Sequence, residues 1–88
     1  MYYVYVLRSE GDGQFYVGYT ADLKRRFELH NEGRVPSTKH RTPFELVYYE
    51  ASHNKEDALH REKYLKTTYG KRYIRNRIKH HLEEGVDS

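Results

Sequence analysis

The sequence predicts an α/β domain of the α+β type, a three-stranded, mainly antiparallel sheet flanked by helices in the order ββαβαα. Three observations predict it. Residues 2–8 are β-branched and aromatic on both alternating faces, which fits a central strand covered on both sides. Glu10-Gly11-Asp12-Gly13 is a turn signal with a second strand-like run, residues 15–20, behind it, so a hairpin follows. Beyond the hairpin, apolar residues recur at helical spacing, interrupted by one more strand-like run at residues 44–51.

The elements follow in order. Thr20 can cap the first helix, and Asp22 suits its positive N-terminal end. This helix runs to about Glu32 and stops at Gly33. Residues 33–43 form a loop punctuated by Pro36 and Pro43. Asn54 can cap a second helix over about 55–67. Gly70 separates it from a third helix, about 71–83, with Ile74, Ile78 and Leu82 as its apolar stripe. Residues 1–83 make one domain, and 84–88 are expected to fray.

A third of the residues are charged, a composition that would suit disorder. The 15% aromatic content and the clustered apolar runs argue instead for a folded domain with a polar surface. No cysteine is present, which excludes disulfides and thiolate metal sites. Residues 2–7 are too short an apolar run for a membrane span, and no basic stretch precedes them, so a cytoplasmic location is expected. Net charge is +3, and its distribution matters more than its size. Arg34, Lys39 and Arg41, with His40, fall in one stretch without an acid; Lys71, Arg72, Arg75, Arg77 and Lys79 fall in another. Either stretch can be a solvated face or a grip on a polyanion.

The polar residues inside apolar helical faces carry more information. On the first helix, Leu23, Phe27 and Leu29 bound an arc that contains Arg26 and His30, while Lys24, Arg25 and Glu28 point outward. On the second, Ala58, Leu59 and Leu65 define an inner arc that contains Glu62, with His60 and Arg61 directed away. An inward guanidinium needs an anion or an open cleft, and an inward carboxylate needs a cation, a metal or a proton. Two readings stay open here. Arg26 and Glu62 can form a structural ion pair with His30 a satisfied core histidine, or the three can belong to a site. Among ten tyrosines, Tyr5 and Tyr16 stand out because a hairpin brings both hydroxyls toward one place. His30, His40, His53, His60, His80 and His81 show no zinc-binding spacing.

These residues resemble the GIY-YIG nuclease domain. Tyr3-Val4-Tyr5 stands for its first motif and Tyr16-Val17-Gly18 for its second. Arg26 lies eight residues beyond Gly18, at the position of the family's helical arginine, and His30 follows one turn later. Glu62, within Ala-Leu-His-Arg-Glu-Lys, matches the metal-binding glutamate. The likeness covers residues 2 to about 75. Tyr3 replaces the glycine of the first motif, and Asn76 is a distant counterpart of an asparagine that many members carry after the glutamate. The chain is similar to the small stand-alone bacterial members.

The resemblance implies a DNA endonuclease that hydrolyses phosphodiester bonds with one Mg²⁺ or Mn²⁺ ion. Tyr5, Tyr16, Arg26 and His30 would be catalytic, Glu62 the metal ligand, and Tyr5 the first choice of base. Arg34, Lys39, His40, Arg41, Lys71, Arg72 and Arg75 would grip DNA phosphates without reading bases, giving structure-selective or weakly sequence-specific action. A protein partner would supply targeting. The alternative is a non-catalytic nucleic-acid-binding module on the same fold.

Overall fold

The computed structural model describes residues 1–87, with side chains through Glu84. Strands β1 (Tyr2–Ser9), β2 (Phe15–Thr20) and β3 (Phe44–Ser52) form one antiparallel sheet in the order β2-β1-β3. The tyrosine- and valine-rich first strand is therefore central, as its two-sided apolar pattern predicts. Helices α1 (Leu23–Asn31), α2 (Lys55–Leu65), α3 (Thr68–Arg77) and α4 (Lys79–Asp87) complete the ββαβαα order, the last predicted helix being divided in two.

Strand alternation divides the core. Val4, Val6 and Val17 face one way and pack with Ala58, Leu65 and Ile74 of α2 and α3. Tyr5, Leu7 and Phe44 face the other way and pack with Tyr16, Leu46 and the Leu23–Phe27 stripe of α1. Leu65 and Ile74 are fully withdrawn from water, a gain of about 1.5–3 kcal/mol for each such side chain.

Three boundaries depart from expectation. The N-cap of α1 is Asp22, whose Oδ1 accepts the Arg25 N–H at 3.1 Å. Thr20 acts one step earlier, its hydroxyl oxygen accepting the Asp22 N–H at 3.1 Å, which turns the chain into the cap. Asn54 caps α2 as predicted, accepting from the Glu56 and Asp57 N–H groups.

Gly70 does not separate helices; it lies inside the first turn of α3, behind the Thr67 cap. A Cβ there would overlap the Tyr64 carbonyl and the Leu65 backbone, so its absence lets α3 turn tightly against the end of α2. The break in the predicted third helix falls instead at Ile78, which leaves helical geometry at φ −113° and ψ 24°. The apolar stripe survives the break: Ile74 is buried, Ile78 and Leu82 half-buried. Helical backbone continues through Glu84 to Asp87; of the end expected to fray, 84–88, Ser88 lies outside the described residues.

A buried serine ties the hairpin to the long loop. The Ser9 hydroxyl donates to the Arg41 carbonyl at 2.6 Å and accepts from the Gly11 and Asp12 N–H groups. Arg41 then pairs with Asp12 at 2.8 Å. Asn31 works similarly at the end of α1. Its side-chain amide donates to the Phe44 carbonyl and accepts the Phe44 N–H, fastening α1 to the start of β3.

Candidate active site

The site is built where β1 pairs with β2. Tyr5 is the cross-strand neighbour of Gly18, and its ring lies over that glycine. A Cβ on Gly18 would overlap Tyr5 Cζ and the hydroxyl oxygen. The glycine of Tyr16-Val17-Gly18 is thus the floor on which the tyrosine of Tyr3-Val4-Tyr5 rests. Three rings close around this point. Tyr16 stands 6.5 Å from Tyr5 and 5.1 Å from His30, centroid to centroid, and His30 stands 5.6 Å from Tyr5.

His30 is fully buried, and both ring nitrogens have partners. Nε2 lies 2.8 Å from the Tyr5 hydroxyl and Nδ1 2.8 Å from Thr38 Oγ1. The Val35 carbonyl offers Thr38 an acceptor at 3.5 Å. If Thr38 donates there, it accepts from Nδ1–H, and the Nε2 lone pair is left facing the Tyr5 O–H. Burial, with the Arg26 charge as the lesser cause, pushes the His30 pKa down to about 4, so the ring is neutral at pH 7. Burial also raises the Tyr5 phenol above its ordinary value; the Arg26 guanidinium beside it works against this, and the Tyr16 and Glu62 charges add to it. The resting pair is a neutral phenol on a neutral imidazole, an arrangement that can move a proton from Oη to Nε2.

Glu62 stands on α2, which packs across β1 and β2 on the Val4–Val6 face, near enough for its charge to act on Tyr5. Its side chain is 20% exposed, and its ion-pair partner is Lys66 one turn on, at 3.2 Å, rather than Arg26. The helix-to-helix ion pair that Arg26 and Glu62 could have formed is replaced by a pair within one helix whose lysine is exposed, worth little to stability. Tyr5, Tyr16 and His30 are therefore gathered in one place with Arg26 beside Tyr5, Glu62 acting on Tyr5 from α2 through its charge alone, and His30 is in addition the satisfied core histidine of the simpler reading.

Residues 1–75 match the GIY-YIG catalytic domain. The chain belongs to the GIY-YIG family. Its curated relatives carry the name UPF0213 protein. One from Streptococcus pneumoniae is 42% identical over 65 residues, covering 73% of this chain and 65% of that protein. The chain thus spans somewhat less than two thirds of that relative's length. One from Haloquadratum walsbyi is 37% identical over 87 residues, covering 98% and 91% of the two chains. The solution NMR structure of the UPF0213 protein from Bacillus halodurans is similar, with a TM-score of 0.53 at 37% identity, covering 84% of this chain and 82% of that one.

GIY-YIG nucleases generally use divalent metal ions. The residues present fit such an ion. Glu62 offers one carboxylate restrained only by an exposed lysine, and among the described residues no three His, Cys, Asp or Glu side chains gather. That sparse donor set suits Mg²⁺, which keeps most of its water and takes one or two carboxylates with substrate phosphate. Among the described residues, no helix is long and apolar enough to cross a membrane.

The basic candidates do not form one surface. The 33–43 loop lies on the His30 side of the sheet through Thr38, while α3 covers the opposite face through Ile74. Arg34, Lys39, His40, Lys71, Arg72 and Arg75 are exposed, Arg72 over Tyr69 and Arg75 over Phe15. Arg41 departs from expectation. Its guanidinium is held by Asp12, the Gln14 carbonyl and the Phe44 ring, so it serves the loop rather than standing free. Asn76 is exposed on α3.

Arg61 also departs from the outward placement read from the sequence. It lies over the Tyr64 and Tyr73 rings at 5.2 and 4.9 Å and reaches both Glu50 oxygens at 3.0 Å. Its long stem lets it half-bury and still find a partner on β3. Sequence reasoning also passed over Thr38, Ser9 and Asn31, small polar residues whose roles depend on distant backbone.

Proposed function

We propose that this chain is a divalent-metal-dependent DNA endonuclease that hydrolyses phosphodiester bonds with structure selectivity or weak sequence preference. The observation that carries the reading is the hydrogen-bonded Tyr5–His30 pair beside Arg26 and within range of the Glu62 charge.

In this reading Glu62 would hold the Mg²⁺ or Mn²⁺ ion. When bound, the ion supplies Lewis-acid polarisation of the phosphodiester. Arg26 neutralises charge growing on the phosphoryl oxygens. The attacking water oxygen bonds to phosphorus and gives a proton to Tyr5 Oη as Tyr5 passes its own to His30 Nε2; the P–O bond to the leaving oxygen breaks, and that oxygen takes a proton from solvent. No free phenolate has to persist, which suits a phenol that burial holds above its ordinary pKa. His30 carries the proton only transiently, because burial and Arg26 disfavour the imidazolium. Tyr16 packs on both rings and fixes their approach. Exposed Arg34, Lys39, His40, Lys71, Arg72 and Arg75 would contact backbone phosphates, a salt-sensitive and sequence-independent grip. A protein partner would then supply targeting.

A second reading, a non-catalytic nucleic-acid-binding module, is favoured by the Glu62–Lys66 pair, which satisfies the carboxylate without a metal. One experiment separates them. Supercoiled, linear, nicked, flapped and branched DNA are incubated with the protein and Mg²⁺. The endonuclease cuts at least one of them, and both EDTA and Glu62→Ala abolish cutting. DNA binding that survives Glu62→Ala, with no substrate cut by the wild type, establishes the module instead.

A further inference from the structure

We propose that the cleft walled by Tyr3 and Tyr49 is a stacking subsite for one unpaired base of single-stranded DNA, next to the phosphodiester held at Tyr5. The proposal deepens the endonuclease reading and rests on it for the place of the scissile phosphate.

The sheet register creates the cleft. Tyr3 and Tyr5 are two apart on β1 and share a face, and Tyr5 is paired with Tyr49 on β3. All three rings therefore start from the same side of the sheet. Tyr5 lies over Gly18 toward β2, which leaves the surface above Tyr49 uncovered. Tyr49 is 54% exposed, unusual for a large ring on the sheet face that carries the Tyr5 core. Tyr3 meets it edge-on, with centroids 6.3 Å apart and planes at 61°. With Ala21, Asp22, Leu23 and Lys24 at the start of α1, the two rings enclose an open cleft of about 420 Å³. That volume lies within the usual range for small-ligand sites. Tyr3 replaces the glycine of the first motif, and a glycine there would remove one wall.

The chemistry of the lining selects the occupant. A ring held on a sheet offers a flat face that any base can stack on, and such stacking is largely indifferent to sequence. Lys24 supplies a cation for the attached phosphate. Asp22, one of whose oxygens already accepts the Arg25 N–H, disfavours a bare anion and suits an N–H donor on a base edge, such as N3–H of thymine. Bases inside a duplex are stacked on each other and cannot enter, so the ligand is an unpaired nucleotide. Tyr3 and Tyr5 are about 7 Å apart along β1, which makes that nucleotide a near neighbour of the phosphate at Tyr5.

The test measures binding without cleavage. Fluorescence anisotropy in EDTA compares a short labelled oligodeoxythymidine with a duplex of equal length, at one fixed ionic strength. Wild type binds the single strand more tightly. Tyr49→Ala weakens single-strand binding by roughly 5- to 150-fold and leaves duplex binding unchanged, while Tyr49→Phe, which keeps the ring, binds as wild type. Circular dichroism checks that the variants fold, and the exposure of Tyr49 favours this. Equal weakening of both ligands, unchanged single-strand binding in Tyr49→Ala, or no single-strand binding by wild type each overturns the subsite. Failure of the endonuclease reading shows separately, as absence of cleavage in Mg²⁺ by a protein whose Tyr49-dependent binding is intact.

Discussion

Tyr5 rests on Gly18 across the β1–β2 pair, and the two residues are one structural unit. The glycine leaves the space that the phenol fills, and the phenol thereby meets His30 Nε2 at 2.8 Å. Either residue alone would be unremarkable in a tyrosine-rich sheet. Together they explain why a small residue and a large ring face each other on the two strands of this hairpin.

Gly18→Ala therefore places a methyl group where Tyr5 Cζ and its hydroxyl now stand. Overpacking of this kind costs about 1–3 kcal/mol, offset by about 0.5–1 kcal/mol because alanine restricts the unfolded chain. We expect a net loss of about 1–2 kcal/mol, read as a fall in Tm of about 4–16 °C. Cleavage should fall as well, because the ring must tilt away from His30. A variant with wild-type Tm and activity would show that the ring does not lie over residue 18.

Tyr5→Phe keeps the ring and removes one hydroxyl. His30 Nε2 then loses its partner in a fully buried position. The orphaned acceptor should cost about 1–3 kcal/mol in urea denaturation. If Tyr5 relays the proton, cleavage should drop by about 10²–10⁴-fold. Stability lost with cleavage unchanged would leave Tyr5 a purely structural residue.

Parts of this arrangement could be read directly from the chain. A hairpin centred on Gly11 and Asp12 pairs residue 5 with residue 18, so the Tyr5–Gly18 contact was implicit in the turn. The central strand, the Asn54 cap and the inward positions of Arg26, His30 and Glu62 also follow from local periodicity. What periodicity could not supply was the partner. Thr38 reaches His30 only because a loop with no repeating pattern folds back, and Ser9 is buried only because the same loop covers it. On a helical wheel Arg61 and Glu62 flank the Ala58–Leu65 line on opposite sides, Glu62 toward Leu59 and inside the apolar arc, Arg61 just outside it. The rings of Tyr64 and Tyr73, on either side of the α2–α3 corner, decide that Arg61 is half-buried too.

Arg61 gives the next prediction. It bonds both Glu50 oxygens and lies over two aromatic rings. Its side chain and that of Glu50 are 32% and 26% exposed, so the pair is neither free in water nor deeply buried. Arg61→Ala should cost about 1–3 kcal/mol, the combined scale of such a pair and its ring contacts. Arg61→Lys should recover less than half, because an ammonium lacks the planar fork. In a double-mutant cycle with Glu50→Ala, a coupling near zero would refute the pairing.

The last prediction concerns pH. His30 has an ordinary pKa of 6.5 and a folded value of about 4, lowered first by burial and second by Arg26. The unfolded chain therefore binds a proton at His30 below pH 6.5, whereas the folded chain does so only below about 4. Between those values the unfolded state holds more protons, so stability rises with pH. The contribution is present in full above pH 6.5 and is lost as pH falls toward 4, a change of about 3 kcal/mol. His30→Gln keeps a donor and an acceptor in the pocket but has no titrating proton. Urea denaturation at several pH values should give a wild-type slope in this window that the variant lacks, the carboxylates titrating alike in both. The NMR midpoint of the His30 ring Cε1–H should lie near 4. A midpoint near 6.5, or matching slopes in the two proteins, would mean that His30 is hydrated and free to protonate, and the neutral Tyr5–His30 pair would fall with it.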